Sequence, residues 1–153
     1  MAKKKNRLLY IFSLSAVCLV VLLLLLQSVP VKPMIVNGKF LLVEVCSNRR
    51  ERERGLQDRR YLSNDRGMLF VFREEKILRF WMKDTYIPLD VAFINAKKEI
   101  IDIQTMQPDG GRRIHSSAGK AEYALEVNAG WFEKNKIKIK DRVKFWFVGR
   151  ADN

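Results

Sequence analysis

The sequence predicts a mainly β domain, a β-sandwich or partly closed barrel, that follows one N-terminal transmembrane helix. Two observations indicate the β class: short apolar runs alternate with polar residues at period two, and no strand–helix–strand alternation interrupts them. About eight short strands and one or two short helices fit into the chain. A third observation, an uncharged apolar run near the start, indicates the membrane helix.

The N-terminal segment has the layout of a retained signal anchor. Residues 1–7 carry four positive charges and no negative ones, and residues 8–26 are 19 residues without a charge. A helix of that length covers the roughly 30 Å hydrocarbon core of a bilayer. Signal-peptide cores are shorter and end in a small-x-small cleavage site, for which only Ser28 offers a weak candidate. We therefore predict a cytoplasmic stub over 1–7 and a transmembrane anchor over 8–27 in the cell membrane. The rest of the chain is then outside the cytoplasm, periplasmic or extracellular.

The remaining chain is predicted to be a stiff linker followed by one basic domain. Pro30 and Pro33 favour an extended linker over 28–36, and the β domain then spans 37–149. Residues 1–30 contain four of the 29 Lys and Arg and none of the 17 Asp and Glu, which leaves a net charge of +8. This charge favours an anionic or sugar-containing ligand or an envelope protein partner, or it serves solubility alone. Nucleic acid is not an expected partner, because the chain has no Gly-rich phosphate loop and no nucleic-acid motif.

Local signals define the first strand and the first helix of the domain. Residues 40–46 (FLLVEVC) are rich in β-forming residues and predict a strand. Asn48 and Glu51 form a capping-box pattern and Gly55 is a natural stop, so the spacing predicts a helix over Arg49–Arg54. Its RRERER sequence is either an anion-binding patch or a solvated helix with charge pairs, and we favour the second interpretation.

Residues 67–95 predict three strands, of which the second carries a distinctive outer face. The first, Gly67–Phe72, is apolar on both faces and is typical of a central strand. In residues 77–83, Leu78, Phe80 and Met82 alternate with Arg79, Trp81 and Lys83. A ring between two cations suits a sugar, a base or an anion. The alternative is a Trp that covers a seam beneath the Arg and Lys stems, and both interpretations stay open.

The second half of the domain continues the strand pattern around one long loop. Strands are predicted over residues 89–94, 100–106, 121–128, 137–141 and 142–148, with a helical turn after Gly130. Pro108–Gly119 is the long loop, and loops of that length often carry function. In 121–128 the alternation predicts that Tyr123 points inward and that Glu126 points outward.

Several motifs resemble those of a known family in their order and spacing. They are Glu51-Arg52, Gly55-Leu56 with Arg59, GMLFVF at 67–72, FWMKDT at 80–85, IPLD at 87–90, Ser116-Ser117 and LEVNAG at 125–130. Together they resemble the domain of unknown function 192 family from about residue 40 to 148. The resemblance implies a compact β-sandwich-like domain, often exported behind a signal or anchor, and it implies no established activity. The chain departs from the family pattern at Gln57, where the family usually has Met, and at Asp84, where it usually has Asn.

Few residues are available for catalysis or for metal binding. Cys46 is the only cysteine after residue 30 and His115 is the only histidine, so we expect no disulfide, zinc site, serine triad or cofactor. Asp90 and Glu126 could act as general acid and base, as in glycoside hydrolysis, if their strands are neighbours.

Three hypotheses of function follow from these residues. The first is a membrane-tethered binding or accessory module with the 108–119 loop as a lid, and its site gathers Arg59, Trp81, Lys83, Asp84, Asp90 and Asn128. The second is an envelope hydrolase that uses Asp90 and Glu126. The third makes Arg59, Lys83 and Asp90 a structural polar network and leaves docking to the basic surface.

Overall fold

The structure, a computed structural model, describes residues 30–147, and it is mainly β as predicted. The predicted stub over 1–7 and the predicted anchor over 8–27 lie outside the described residues, in which no helix is long and apolar enough to cross a membrane. The described elements are nine strands and two short helices: β1 Val31–Val36, β2 Lys39–Cys46, α1 Arg49–Arg54, β3 Arg66–Lys76, β4 Arg79–Phe80, β5 Leu89–Ile94, β6 Ile100–Met106, β7 His115–Ser116, β8 Ala121–Asn128, α2 Trp131–Lys134 and β9 Val143–Lys144.

Seven strands form one sheet in the order β6-β5-β8-β3-β2-β1-β9, and β4 pairs with β7 in a small second sheet. Neighbours in the large sheet are antiparallel except β2 and β3, whose parallel pairing requires the crossover that contains α1. The sheet curls into a half-barrel, so the prediction of a partly closed barrel is confirmed. At one end its two edges meet, because Ile100 donates a backbone hydrogen bond to Asp141 (2.9 Å) and accepts one from Lys140 (2.8 Å).

Each face of the sheet has its own hydrophobic core. Leu69 and Leu125 belong to the first core, where α2 contributes Phe132. Met68 and Phe70 point the other way and belong to the second core. Strand β3 is therefore covered on both faces, as its sequence predicts. Full burial of one such side chain contributes about 1.5–3 kcal/mol, so the hydrophobic core on each face of the sheet contributes substantially to stability.

Three irregular segments cover the second core, and we call them together the covering layer: residues 47–62, 77–88 and 108–119. They are joined to one another by backbone contacts. The amide of Asp58 donates to the carbonyl of Asp84 (2.7 Å), and the amide of Ser117 donates to the carbonyl of Leu78 (3.0 Å). Gly111 packs on Lys83 so closely that an added Cβ would lie 3.0 Å from the Lys83 Cβ. The covering layer is thus one continuous surface.

Residues 31–36, predicted as part of a linker, form strand β1 instead. β1 pairs with β2 through a two-residue turn at Asn37 and Gly38, which both have positive φ, as a tight hairpin requires. Pro33 is tolerated in β1 because, among residues 30–147, β9 pairs only with Ile35 and Val36 and leaves the edge of the strand unpaired at the proline.

Two other strand predictions are too long. The strand predicted over 77–83 is reduced to β4, and the two predicted over 137–141 and 142–148 are reduced to β9 within the described residues. The backbone turns at Lys136 and Lys140, which have positive φ, and this geometry interrupts a strand.

Candidate functional site

A basic groove of about 370 Å³ lies between α1, the end of β3 and β4. Its lining carries six cationic side chains and one acidic side chain, Glu53; the cations are Arg49, Arg52, Arg54, Lys76, Arg79 and Lys83. Four aromatic rings also line it: Phe70, Phe72, Phe80 and Trp81. The groove therefore combines a strongly positive wall with flat apolar surface, which suits an anion attached to a ring or a sugar.

Helix α1 places three of these cations and is held by its predicted caps. The Asn48 side chain accepts from the Glu51 amide (2.9 Å), and the Glu51 carboxylate accepts from the Asn48 amide (3.3 Å), which is a capping box. None of its residues is buried. The helix ends at Gly55, where a Cβ would press on the Phe70 ring at 3.3 Å. The sequence prediction of this helix is confirmed.

The six cations differ in how free they are to meet a ligand. Arg52 is part of the scaffold, because its guanidinium donates to the carbonyls of Ser47 and Val71 and lies 5.2 Å from the centre of the Phe72 ring. Arg49 pairs with Glu53 (2.7 Å), and this fully exposed pair is worth little. Among the groove cations in the described chain, the side chains of Arg54, Arg79 and Lys83 make no hydrogen bond, ion pair or ring contact. These three are the ones available to an anion.

Trp81 provides the exposed ring of the groove. Its side chain is 48% exposed, whereas Phe80 and Met82 on either side are buried in the second core. The predicted alternation of this segment is therefore correct, although only Arg79 and Phe80 are paired as a strand. Of the six residues predicted to bind a ligand, Trp81 and Lys83 line the groove.

Arg59 lies outside the groove and forms an ion pair with Glu44 of β2. Its two terminal nitrogens reach the two carboxylate oxygens at 2.6 and 2.5 Å. Such a two-pronged pair is the strongest geometry for these groups. The pair fastens the loop after α1 to the sheet, so Arg59 has a structural partner in place of a ligand.

Asp84 also lies outside the groove and acts through its backbone. It has φ +51°, and its carbonyl accepts the amide of Asp58. Asp and Asn adopt this left-handed conformation more readily than other residues with a Cβ. The Asn-to-Asp departure from the family pattern therefore keeps the conformational requirement of the turn.

Substitutions at Asp84 should separate this backbone role from a ligand role. We expect Asp84→Ala to lower the free energy of unfolding by about 1 kcal/mol, because Ala is strained at positive φ. Asp84→Asn should leave it unchanged within about 0.5 kcal/mol. Denaturant unfolding of the full chain in a non-ionic detergent measures both. A stable Asp84→Ala protein would show that the turn does not depend on this residue.

Asp90 and Asn128 hold the end of the sheet next to α2. Asp90 is 3% exposed, and its carboxylate accepts from the Thr105 hydroxyl (2.7 Å) and the Gly130 amide (2.8 Å). The Asn128 side chain donates to the carbonyl of Leu62 (2.8 Å) and so fixes the chain that leads into β3. Neither residue lines the basic groove. The six predicted site residues are therefore not gathered at one place.

The register of β5 and β8 separates the two carboxylates of the hydrolase hypothesis. Asp90 is opposite Val127 and Val91 is opposite Glu126, so Asp90 and Glu126 point to opposite faces of the sheet. They cannot act as an acid/base pair on one substrate. Glu126 is also buried, 5% exposed, and not outward-facing as its strand pattern predicts, because the covering layer encloses its face of the sheet.

The buried titratable groups beside the second core are held in their neutral forms. Burial raises the pKa of Glu126 to about 8, and within the described residues its carboxyl group has no hydrogen-bond or ion-pair partner. Burial also raises the pKa of the Cys46 thiol to about 12, and nearby Glu51 adds to this rise. A thiol with so high a pKa is a poor nucleophile, consistent with Cys46 as a packed core residue.

The loop over 108–119 does not line the groove, so it is not a lid on it. Part of it is ordered as β7, whose residues His115 and Ser116 pair with β4. The Asp109 carboxylate accepts the amides of Gly111 and Arg113 at 2.8 and 3.0 Å, which fixes the turn. The loop instead packs closely against one groove residue, Lys83, through Gly111.

The segments that build the groove and the sheet are those of one protein family. The family model DUF192, described as "Uncharacterized ACR", matches residues 34–145. The chain belongs to the DUF192 family. Its FWMKDT motif contains the last residue of β4 and the loop that follows, and its LEVNAG motif contains the end of β8 and the turn that leads into α2. A search of curated proteins finds no match.

Two solved structures are similar to the DUF192 domain of this chain. One is a candidate transcription regulator from Sinorhizobium meliloti 1021, with 32% identity, a TM-score of 0.70, and coverage of 76% of this chain and 95% of that one. The other is a protein of unknown function from Novosphingobium aromaticivorans DSM 12444, with 26% identity, a TM-score of 0.72, and coverage of 78% and 88%. The half-barrel is thus a fold shared with these proteins.

The sequence indicated the segments that line the groove, but it did not indicate that they lie next to each other. The charged helix and the Arg79-Trp81-Lys83 face were each identified, but they are about 30 residues apart and the structure brings them together. Lys76 at the end of β3 was missed. One signal could have revealed the groove. The basic helix α1 lies between β2 and β3, which pair in parallel, and the connection between two parallel strands must cross over one face of the sheet.

Proposed function

We propose that this protein is a membrane-tethered, extracytoplasmic binding module whose basic groove takes an acidic carbohydrate. The observation that carries the proposal is the set of cations that have no partner within residues 30–147, Arg54, Arg79 and Lys83, around the half-exposed ring of Trp81. The carboxylates of acidic sugars provide the negative groups, and the apolar face of a sugar ring stacks on the indole.

The groove is suited to binding and not to acid/base catalysis. Its one acidic side chain, Glu53, is exposed and paired with Arg49. Arg54 and Arg79 each offer a planar fork that matches a carboxylate, while Lys83 adds a point charge. Charge-assisted hydrogen bonds contribute about 1.5–3 kcal/mol each, so three of them support a specific complex.

The membrane tether in this proposal is supported by the apolar residues 8–26 and the basic residues 1–7 before them. A retained anchor keeps the domain at the outer face of the membrane, where acidic envelope polysaccharides are presented. The domain itself begins within four residues of the predicted anchor, since β1 starts at Val31.

Removal of the three unpaired cations is expected to weaken binding of an acidic oligosaccharide by about a hundredfold or more. The probe is an oligogalacturonate, titrated by calorimetry into the full chain in a non-ionic detergent. The variant is Arg54→Ala with Arg79→Ala and Lys83→Ala. Trp81→Ala alone should weaken binding about tenfold, through loss of the ring contact.

A charge-matched control separates the groove from the general basicity of the protein. Lys97→Ala with Lys134→Ala and Lys144→Ala removes three exposed cations that do not line the groove, and it should bind as the wild type does. Polyglutamate tests charge without a sugar face and should be insensitive to Trp81→Ala. If the groove variant and the control lose equal affinity, the groove is not the binding site.

A further inference from the structure

A second cavity, of about 500 Å³, lies at the end of the sheet where β2 and β3 begin and β8 ends. We call it the end cavity. Its lining comprises the start of β2, the residues before β3, the end of β8 and both ends of α2. Among the described residues, it has none in common with the lining of the basic groove. The end cavity is therefore a site of its own.

Three asparagine side chains line the end cavity, and hydrogen bonds hold each of them in place. Asn128 donates from Nδ2 to the carbonyl of Leu62 (2.8 Å), and Asn135 donates from Nδ2 to the carbonyl of Trp131 (2.9 Å). Because a carbonyl only accepts, these contacts fix which end of each carboxamide is the nitrogen. Asn128 Nδ2 also donates to Asn64 Oδ1 (3.3 Å). All three carboxamides are therefore oriented before a ligand arrives.

The opposite ends of the three carboxamides are available to a ligand. Asn128 Oδ1 and Asn135 Oδ1 are acceptors and Asn64 Nδ2 is a donor, and none of these atoms has a hydrogen-bond partner within residues 30–147. A closed pair of carboxamides makes two hydrogen bonds, whereas Asn64 and Asn128 make one. The end cavity thus presents two oriented acceptors and one oriented donor, all of them uncharged.

An exposed aromatic ring and a nearly balanced set of charges complete the lining. Phe40 is 62% exposed and offers an apolar face beside the carboxamides. Lys39 and Lys134 are opposed by the carboxylate of Asp65, which leaves an excess of one positive charge. The lining of the basic groove has six cations against one acidic side chain. Charge therefore selects the ligand of the groove, whereas carboxamides and a ring select the ligand of the end cavity.

We propose that the end cavity binds a sugar that carries an acetamido group. The acetamido carbonyl accepts from Asn64 Nδ2, and its N–H donates to one of the two asparagine oxygens. A hydroxyl of the sugar donates to the other oxygen, and the apolar face of the sugar ring stacks on Phe40. This set of contacts uses each available end of the three carboxamides. The proposal is independent of the groove and of the membrane tether.

Titration of the full chain with N,N′-diacetylchitobiose, followed by NMR in a deuterated non-ionic detergent, tests the site. The side-chain amide signals of Asn64, Asn128 and Asn135 should shift together as the sugar is added. Phe40→Ala with Asn64→Ala should weaken binding about thirtyfold, because it removes the ring contact and one hydrogen bond. Addition of the sugar to millimolar concentration without a shift of the three signals would overturn the proposal.

A matched control removes an exposed ring and an exposed carboxamide elsewhere on the domain. Trp146→Ala with Gln107→Ala should bind the disaccharide as the wild type does, since neither residue lines the end cavity. Equal losses of affinity in this control and in the cavity variant would show that the end cavity is not the binding site.

Two further probes test the chemistry of the ligand. Cellobiose has hydroxyls in place of the acetamido groups and should bind about tenfold more weakly, since it lacks the amide hydrogen bonds. Equal affinities for the two disaccharides would overturn the acetamido assignment. N-acetylalanine N-methylamide has amides without a sugar ring and should not compete with the disaccharide. If it does compete, the end cavity is a peptide site and the sugar proposal is wrong.

Oligogalacturonate keeps the two proposed sites apart. The cavity variant, Phe40→Ala with Asn64→Ala, should bind oligogalacturonate as the wild type does. The groove variant, without Arg54, Arg79 and Lys83, should bind N,N′-diacetylchitobiose as the wild type does. Failure of one site therefore leaves the result for the other intact.

Discussion

Replacement of Glu126 by Gln is expected to stabilise the domain at neutral and alkaline pH, and to remove a pH dependence of the wild-type stability. Glu126 is buried beside the second core without a hydrogen-bond partner among the described residues, and burial raises the pKa from 4.5 to about 8. Gln has the same shape and is neutral at every pH. The variant therefore retains the packing and loses the ionisation.

The direction of the effect follows from proton binding. Below pH 4.5 the carboxyl group is protonated in the folded and in the unfolded chain, and the full stability is present. Between 4.5 and about 8 the unfolded chain has released the proton while the folded chain still holds it, so stability falls as the pH rises. Each pH unit in this window costs about 1.4 kcal/mol, which gives a loss of roughly 4 kcal/mol at its upper end.

Denaturant unfolding of the full chain in a non-ionic detergent, repeated across this pH window, measures the effect. The wild-type free energy of unfolding should fall relative to that of Glu126→Gln, and the two curves should be closest at the acidic end. Glu74→Gln is the matched control, since Glu74 is exposed and the same change there should leave the wild-type slope intact. Parallel curves for the wild type and Glu126→Gln would show that Glu126 is ionised in the folded domain.

Replacement of Asp90 by Ala is expected to lower the free energy of unfolding by about 3 kcal/mol, because it removes the buried carboxylate that accepts two charge-assisted hydrogen bonds. The carboxylate accepts from Thr105 on β6 and from Gly130 before α2, so it joins three parts of the chain. Asp90→Asn should cost less, since the amide oxygen retains one of the two hydrogen bonds.

A double-mutant cycle with Thr105→Val isolates the hydrogen bond between Thr105 and Asp90, for which we expect a coupling of about 1–2 kcal/mol. Unfolding of the four proteins supplies the cycle, and oligogalacturonate affinity is measured on the same samples. Asp90 faces away from the covering layer, so affinity should be unchanged wherever the protein is folded. If Asp90→Asn loses affinity while its stability is that of the wild type, Asp90 belongs to a ligand site and not to the scaffold.

Several elements could be predicted from the sequence because their signals are local. Helix α1 matches its predicted bounds, since the Asn48–Glu51 capping box and Gly55 define both ends within eight residues. Strands β5, β6 and β8 also match, because a run of alternating or apolar residues between turn signals needs no distant partner to be recognised. Strand β1 differs from the prediction of a linker, because Pro33 is accommodated at the edge of the sheet and the Asn37-Gly38 hairpin turn pairs β1 with β2.

The positions of the candidate site residues relative to one another could not be predicted, because they depend on contacts between segments that are distant in the chain. Side-chain alternation assigns Asp90 and Glu126 each to a face of its own strand, but only the pairing register relates the two strands, and a shift of one residue would reverse the result. Burial of Glu126 likewise depends on the covering layer, whose segments are up to 70 residues apart in the chain.

The sequence by itself determined the β class, the family motifs, the short basic helix and the alternation that exposes Trp81 while burying Phe80. These features depend on period, capping and composition, which act between residues close in the chain. The tertiary structure alone decided that α1 and β4 meet in one groove, that Arg59 is engaged by Glu44, and that Asp90 and Glu126 point apart. These depend on contacts between distant segments, whose geometry is set by the packing of the whole sheet and its two cores.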